Sequence, residues 1–501
     1  MQSRTRTTRT TRTLAALATA ALAGATLLAT SAPASASRSE TLWVNPNSST
    51  TEHITELKLK GQARDDARLL AGYATATWFT GETPKKVRNA VRDVVRSADR
   101  ARAVPTLVAY NLPFRDCSQY SAGGATSQAE YEAWIDGFAA GIGDERAIVI
   151  LEPDGLGIIP WYTTFEGTQE WCQPEEADPA TAADERFAML NHAVDVLAAL
   201  PNTDVYLDAG HSGWLNVGDN TDRLIKAGVQ KADGFYLNAS NYQYTENSVA
   251  YGRWISSCIA LVTEVGGALA DCGNQYWNGG PLSDWEGVEM TKYAPWTADP
   301  TAPLERRTDV LDDRYAQALG GVQPTARFVV DTSRNGQGPW DPATSDVGYD
   351  PLDSAEDWCN PPGRGLGLRP TLQTGDPLVA AYLWIKVPGE SDGLCHRGLG
   401  GPLDPERGIE DPAAGQWFVQ QARELIELAV PAVKGDERCR DGKGGKGDRD
   451  GKGDRDGKGD RDGRGGKAGR ADRGDKGDRD RDRHDSGKRD VRTSDRDARS
   501  R

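Results

Sequence analysis

Glu152-Pro153-Asp154 sets two carboxylates one residue apart at the end of the apolar run Ala147-Ile-Val-Ile-Leu151. The same pattern, a β-prone run that stops at polar residues, recurs along the chain. The run from Thr106 to Tyr110 leads to Arg115-Asp116-Cys117, Val205-Tyr-Leu-Asp208 to Ala-Gly-His211, and Arg327-Phe-Val-Val-Asp331 to Thr-Ser-Arg334. Phe235-Tyr-Leu-Asn238 and Ala381-Tyr-Leu-Trp-Ile-Lys386, followed by Glu390-Ser-Asp392, complete the set. Paired carboxylates can cleave a glycosidic bond: one, protonated, donates to the leaving oxygen, and the other activates water or attacks the sugar. A lone Asp at a strand end is as often a cap, but acidic groups at five such ends are harder to assign to capping. No Gly-x-Ser-x-Gly elbow accompanies them, and the five His residues show no metal-ligand spacing, so no metal and no organic cofactor are expected.

For these side chains to meet, the runs must be neighbouring strands. Segments that read as helices lie between them, at residues 85–100, 127–141, 180–200, 222–227 and 413–428. Ser127 followed by Glu130 has the form of a helix N-terminus, with Gly141 at its end. Alternating strands and helices predict an α/β fold of parallel β/α units, and polar residues at strand C-terminal ends favour a TIM-like barrel with its site on that face. A doubly wound open sheet is the alternative, although no Gly-x-Gly-x-x-Gly joins a strand to a helix. Residues 240–320, rich in Trp, Tyr, Gly and Asn, read as an elaborate loop over the rim.

The ends of the chain differ from its middle. Residues 1–36 carry Arg4, Arg6, Arg9 and Arg12, an apolar stretch, and Ala34-Ser-Ala36, the pattern of a secretory signal peptide. The apolar part is shorter than the ~20 residues a membrane span needs. A secreted, extracellular protein without a membrane span is therefore expected, with its folded domain at residues 37–433. Residues 434–501 repeat Lys-Gly-Asp-Arg-Asp-Gly with almost no apolar side chain and read as a disordered charged tail. Cys117, Cys172, Cys258, Cys272, Cys359 and Cys395 suit three bridges in an oxidising compartment, while Cys439 sits alone in the tail. Local pairing in chain order is the simplest of the fifteen possible connectivities. Setting aside the tail's 24 basic and 18 acidic residues and the four opening Arg leaves 31 basic against 56 acidic, a net charge near −25. That field repels nucleic acid and leaves a neutral substrate unaffected.

Aromatic residues point the same way. Trp43, Trp214 and Trp358 sit beside polar turn residues, where an indole face can stack on a sugar ring; Trp384, inside an apolar run, reads as core.

Val108-Ala-Tyr-Asn-Leu-Pro-Phe-Arg-Asp-Cys-Ser118 and Val149-Ile-Leu-Glu-Pro-Asp154 closely resemble the two signature stretches of glycoside hydrolase family 6, the inverting cellulases. Asp208-Ala-Gly-His-Ser-Gly-Trp214, Trp358-Cys-Asn360 and Trp384-Ile-Lys-Val-Pro-Gly-Glu-Ser-Asp392 match further blocks in the family's order. The resemblance implies a distorted seven-stranded β/α barrel that cuts β-1,4-glucosidic bonds of cellulose with inversion. By motif, Asp154 is the general acid, with Asp116 beside it to keep it protonated and Arg115 to keep Asp116 ionised. Asp392 is the candidate base, and Tyr110 the residue that crowds the distorted sugar. Trp43, Trp214 and Trp358 take the places of platforms, and Lys386, Glu390, Asp208, His211 and Asn238 those of further substrate contacts. Asp331 has no matching role and is expected to buttress the rim. Gly155 stands where the family more often has Ser, Ala or Leu, and Ala122-Gly-Gly124 replaces an Asn-containing stretch, which predicts a mobile loop there. Cellulose and cello-oligosaccharides are the expected partners, the chain is expected to be a monomer, and the loops at 161–176 and 240–320 resemble those of exo-acting members. An endoglucanase, or a glucan-binding protein on the same scaffold, are the alternatives.

Overall fold

The computed structural model describes residues 40–278 and 287–433. The signal-like segment, the charged tail, Trp285 and Cys439 lie outside the described residues.

Seven parallel strands follow one another in chain order: β1 (Thr77–Phe79), β2 (Thr106–Ala109), β3 (Ala147–Leu151), β4 (Thr203–Asp208), β5 (Gly234–Leu237), β6 (Arg327–Asp331) and β7 (Val379–Leu383). Around them run α1 (Ser49–Glu56), α2 (Gly61–Leu70), α3 (Pro84–Ala101), α4 (Gln128–Ile142), α5 (Ala182–Ala198), α6 (Val217–Lys226), α7 (Thr245–Ala260), α8 (Asp309–Leu319) and α9 (Val419–Glu427). Strand side chains alternate between faces, and both faces are buried, which is why the strands are nearly continuous apolar runs. Leu107, Val149, Leu151, Val205 and Phe235 point to the helical layer; Val108, Ile148, Ile150, Tyr206 and Tyr236 fill the inside of the curl. The sheet curls into a half-barrel. Among the described residues its two edges come together at one backbone bond, Ala76 N–H to Trp384 O (3.0 Å), and at the Trp78 indole N–H donated to Ile385 O (2.9 Å).

The six strands read from the sequence are all present, each within two residues of the expected start; β1, three residues long, had no apolar run to announce it. Helix boundaries moved more. Asn216, whose side chain accepts from Asp219 N–H, starts α6 five residues before the expected 222, and α9 begins at Val419 instead of 413. Ser127 caps α4 as expected, but Gly143, not Gly141, ends it. Residues 240–320 are not only loop: α7 and α8 belong to the helical layer, packing Tyr251, Trp254, Ile255, Leu311 and Tyr315 into its core. The stretch between them rises over the rim. Three disulfides form in chain order, Cys117–Cys172, Cys258–Cys272 and Cys359–Cys395, with Cα separations of 5.8, 5.6 and 5.8 Å. No helix among the described residues is long and apolar enough to cross a membrane.

Candidate active site

Strand ends deliver the chemistry because each chain must turn sharply there. Glu152 (φ +52°), Asp154 (φ +63°), Asp116 (φ +57°) and Asn238 (φ +68°) all adopt the left-handed backbone that non-glycine residues avoid, and such strain gathers at functional sites. Their loops surround a cavity of about 700 Å³ over the C-terminal ends of the strands, within the range of ligand pockets. Asp154, Asp116, Asp392, Tyr110 and Arg115 all line it, as do His211, Trp214, Trp358, Lys386 and Glu390.

Asp154 projects from the turn after β3, and no described residue hydrogen-bonds to its carboxyl. Burial, then the charge of Asp208 and that of Asp116, raise its pKa well above the usual carboxylate range. It is built to hold a proton. Asp208, at the end of β4, accepts from the N–H groups of Leu156 (3.2 Å), Gly157 (3.0 Å) and Gly210 (3.0 Å). Burial pushes Asp208 upward too, but those donors favour its ionised form, so of the two it is Asp208 that carries the charge. Asp392 lies in the opposite condition. Its Oδ2 accepts from Arg334 (2.8 Å), the Tyr242 hydroxyl (2.9 Å) and Asn360 N–H (3.0 Å), and Lys386 Nζ is 3.4 Å from its Oδ1. Burial works against ionisation, yet the charges of Arg334 and Lys386 outweigh it and hold the carboxyl below its ordinary value. One cavity thus contains a carboxyl held protonated and a carboxylate held ionised, on the loops after β3 and β7.

Asp116 raises the pKa of Asp154 as expected, but Arg115 is committed mainly to the backbone. The guanidinium donates to the carbonyls of Ser121 (2.9 Å), Thr80 (2.9 Å), Tyr110 (2.8 Å) and Ala122 (3.2 Å), and lies 4.6 Å from the centre of the Tyr110 ring. It pins the loop after β2. Asp116 accepts from Ser121 N–H (2.7 Å), and burial raises its pKa despite that bond and the charge of Arg115. The stretch 122–124, expected to be mobile, is held by these contacts. Gly124 (φ +98°) passes so close to Leu112 that a Cβ would lie 1.9 Å from its carbonyl oxygen. Gly155 has a similar cause, since a Cβ there would meet Glu152 O at 2.6 Å.

The model of glycosyl hydrolases family 6 matches residues 37–429. The chain belongs to this family. Endoglucanase A of Thermobispora bispora is 32% identical over 342 residues, which cover 68% of this chain and 55% of that protein. Endoglucanase A of Cellulomonas fimi is 32% identical over 339 residues, 68% of this chain and 50% of that one. The match thus spans about half the length of each of these relatives. The endoglucanase Cel6 of Mycobacterium tuberculosis, solved in complex with methyl-cellobiosyl-4-deoxy-4-thio-β-D-cellobioside, superposes with a TM-score of 0.52 at 28% identity, covering 78% of this chain and 97% of that one.

Within this family 6 chain, three of the expected substrate contacts lie elsewhere. Trp43 is buried, does not line the cavity, and its N–H bonds to Val104 O (2.8 Å), just before β2 begins and so at the far end of the strands. Asp208 is behind the wall, its carboxylate taken up by backbone donors as described. Asn238 is fully buried; its amide donates to Asp331 O (2.8 Å) and Gln243 O (3.4 Å), fixing the turn after β5. Asp331 buttresses the rim as expected, accepting from Ser240, Ser333, Ile385 and Lys386 N–H. His211 does reach the cavity. Its Nδ1 accepts from Gly213 N–H (3.2 Å), and burial, with the charge of Lys292, pushes its pKa down to about 3, so it is a neutral donor through Nε2. Glu390 bonds the Ser49 hydroxyl.

Sequence reasoning did not single out Trp78 on the cavity wall, nor Arg334 and Tyr242, buried behind Asp392. Trp78 stands edge-on to Tyr110 (5.5 Å between ring centres) at the seam of the half-barrel. Arg334 follows β6 by three residues, so the strand-end pattern pointed to it; Tyr242 carried no local signal.

Proposed function

We propose that this protein is a secreted cellulase that hydrolyses β-1,4-glucosidic bonds with inversion, working from chain ends and releasing cellobiose. Asp154 donates its proton to the leaving oxygen, and Asp392 accepts the proton of the attacking water on the opposite face of the sugar. An inverting site keeps the two carboxyls ~6.5–9.5 Å apart so that a water fits between. Trp78, Trp214 and Trp358 present ring faces to a neutral glucan. The three disulfides suit an oxidising, extracellular compartment.

The observation that carries the exo reading is a belt of contacts joining loops that line the cavity. From the β2 loop, the Tyr120 hydroxyl donates to Glu356 (3.1 Å), and its ring meets Trp358 (5.8 Å) and His396 (6.3 Å). From the long segment between α7 and α8, Lys292 pairs with Asp357 (2.6 Å). Residues 356–358 thus receive one bridge from each side, and Cys359–Cys395 ties them to the loop that carries Asp392. A closed belt favours threading a chain end over gripping the middle of a chain. The second reading is an endoglucanase, the name borne by all three proteins compared above.

Viscosity and soluble sugar are to be followed together on carboxymethylcellulose and amorphous cellulose, with the product anomer read by NMR. Slow viscosity loss with α-cellobiose supports the proposal. Rapid viscosity loss supports the endoglucanase, a β-anomer rejects inversion, and no product leaves a glucan-binding protein.

A further inference from the structure

Trp171 is an aromatic residue on the cavity wall that the mechanism does not use. It projects from the loop after β3, lines the cavity, and is 53% exposed, the most exposed tryptophan among the described residues. Its indole has no hydrogen-bond acceptor and no ring partner among the described residues. Both of its neighbours are fixed. Glu170 donates its N–H to Tyr162 O (2.8 Å) and pairs through its carboxylate with the buried Arg223. Cys172 is fully buried, accepts from Trp161 N–H (2.9 Å), and is bonded to Cys117, the residue after Asp116. Trp161 secures the loop again by donating its indole N–H to Pro174 O (3.1 Å).

A large apolar ring held in water by a braced backbone is poorly explained by packing, because just over half of it packs on nothing. It is well explained as a binding surface whose ordering cost is already met in the folded protein. Trp214, on the loop after the neighbouring strand β4, also lines the cavity, whereas Trp78 and Glu390 line it from β1 and the loop after β7. We infer that Trp171 is an outer platform for a glucose ring of a longer glucan chain, beyond the sugars held next to Asp154. This rests on the reading of the cavity as a glucan site. Because Trp171 and Asp116 each precede one half of the same disulfide, the platform and the catalytic loop are held in one rigid unit.

The test is the affinity of the full chain carrying Asp154→Asn, which suppresses turnover, for cellotriose through cellohexaose, with and without Trp171→Ala or Trp171→Phe. Trp171→Ala is expected to weaken cellohexaose about tenfold while cellotriose is unchanged, and Trp171→Phe to recover most of the loss. Unchanged binding of every oligosaccharide overturns the platform, and so does equal weakening at all lengths, which would report a displaced loop. If the Asp154→Asn parent binds no cello-oligosaccharide, the glucan reading itself fails. Should Trp171→Ala not fold, the Phe variant and a Trp171→His variant carry the same length comparison.

Discussion

Asp208 sits behind Asp154 with both its oxygens committed to backbone N–H groups of Leu156, Gly157 and Gly210, and after burial its charge is the largest influence on the Asp154 carboxyl. The bonds from Leu156 and Gly157 also shape the turn that presents Asp154, while that from Gly210 closes the turn after β4. Asp208 is therefore the residue through which the fold sets the acid's proton affinity without touching the cavity.

Replacing Asp208 by Asn removes a negative charge from behind the acid. Asp154 then loses its proton at lower pH, so the alkaline limb of the kcat profile moves down while the acid limb stays in place. A pH–rate series on a soluble cello-oligosaccharide checks this, and an unmoved alkaline limb would separate Asp208 from the acid.

Asp154→Asn should lower turnover of cellohexaose by about 10²–10⁴, the usual contribution of a general acid. A dinitrophenyl cello-oligosaccharide, whose leaving group needs no proton, should lose far less. Equal losses on both substrates would remove Asp154 from the acid role.

Arg334 is fully buried against Asp392, and truncating one partner of a buried ion pair costs about 3–5 kcal/mol. Arg334→Met should therefore lower the melting temperature. Asp392 gains pKa without its cation, so the acid limb of the rate profile moves up. The depressed folded pKa of Asp392 contributes stability above the unfolded carboxylate value that is lost as pH falls through the folded one. The variant's stability should consequently depend less on pH below about 4.

Lys292 and Asp357 are each about a quarter exposed (29% and 27%), so their pair is worth at most ~1 kcal/mol. Opening the belt with Lys292→Met and Tyr120→Ala together should leave the melting temperature within a few degrees. The drop in carboxymethylcellulose viscosity per soluble reducing end should rise several-fold. No change in that ratio would mean the belt does not limit access.

Much of this was legible in the chain. Apolar runs long enough to be buried on both faces, each ending in a polar turn, defined six strands and placed Asp116, Asp154 and Asp392 at one rim, because a parallel β/α unit leaves its strand ends on a common side. Local cysteine pairing followed from short separations. What stayed hidden depended on position across the fold. Trp43 and Trp78 both stand near turns, but Trp43 joins the chain beside Val104, before β2, and Trp78 ends at the seam where β1 meets the residues after β7. Asp208 and Asn238 were placed in the substrate site by the family resemblance; only the folded turns show backbone N–H and C=O groups claiming them first. Arg115 was paired by sequence with its neighbour, whereas four loop carbonyls compete for it in space. Sequence by itself determined which residues reach the rim, since strand periodicity and turn chemistry are local. Tertiary structure alone decided which of them face the cavity, which carry the proton, and that Tyr120 and Lys292 bond to the adjacent residues Glu356 and Asp357, since burial, charge and hydrogen-bond competition are summed over groups far apart in the chain.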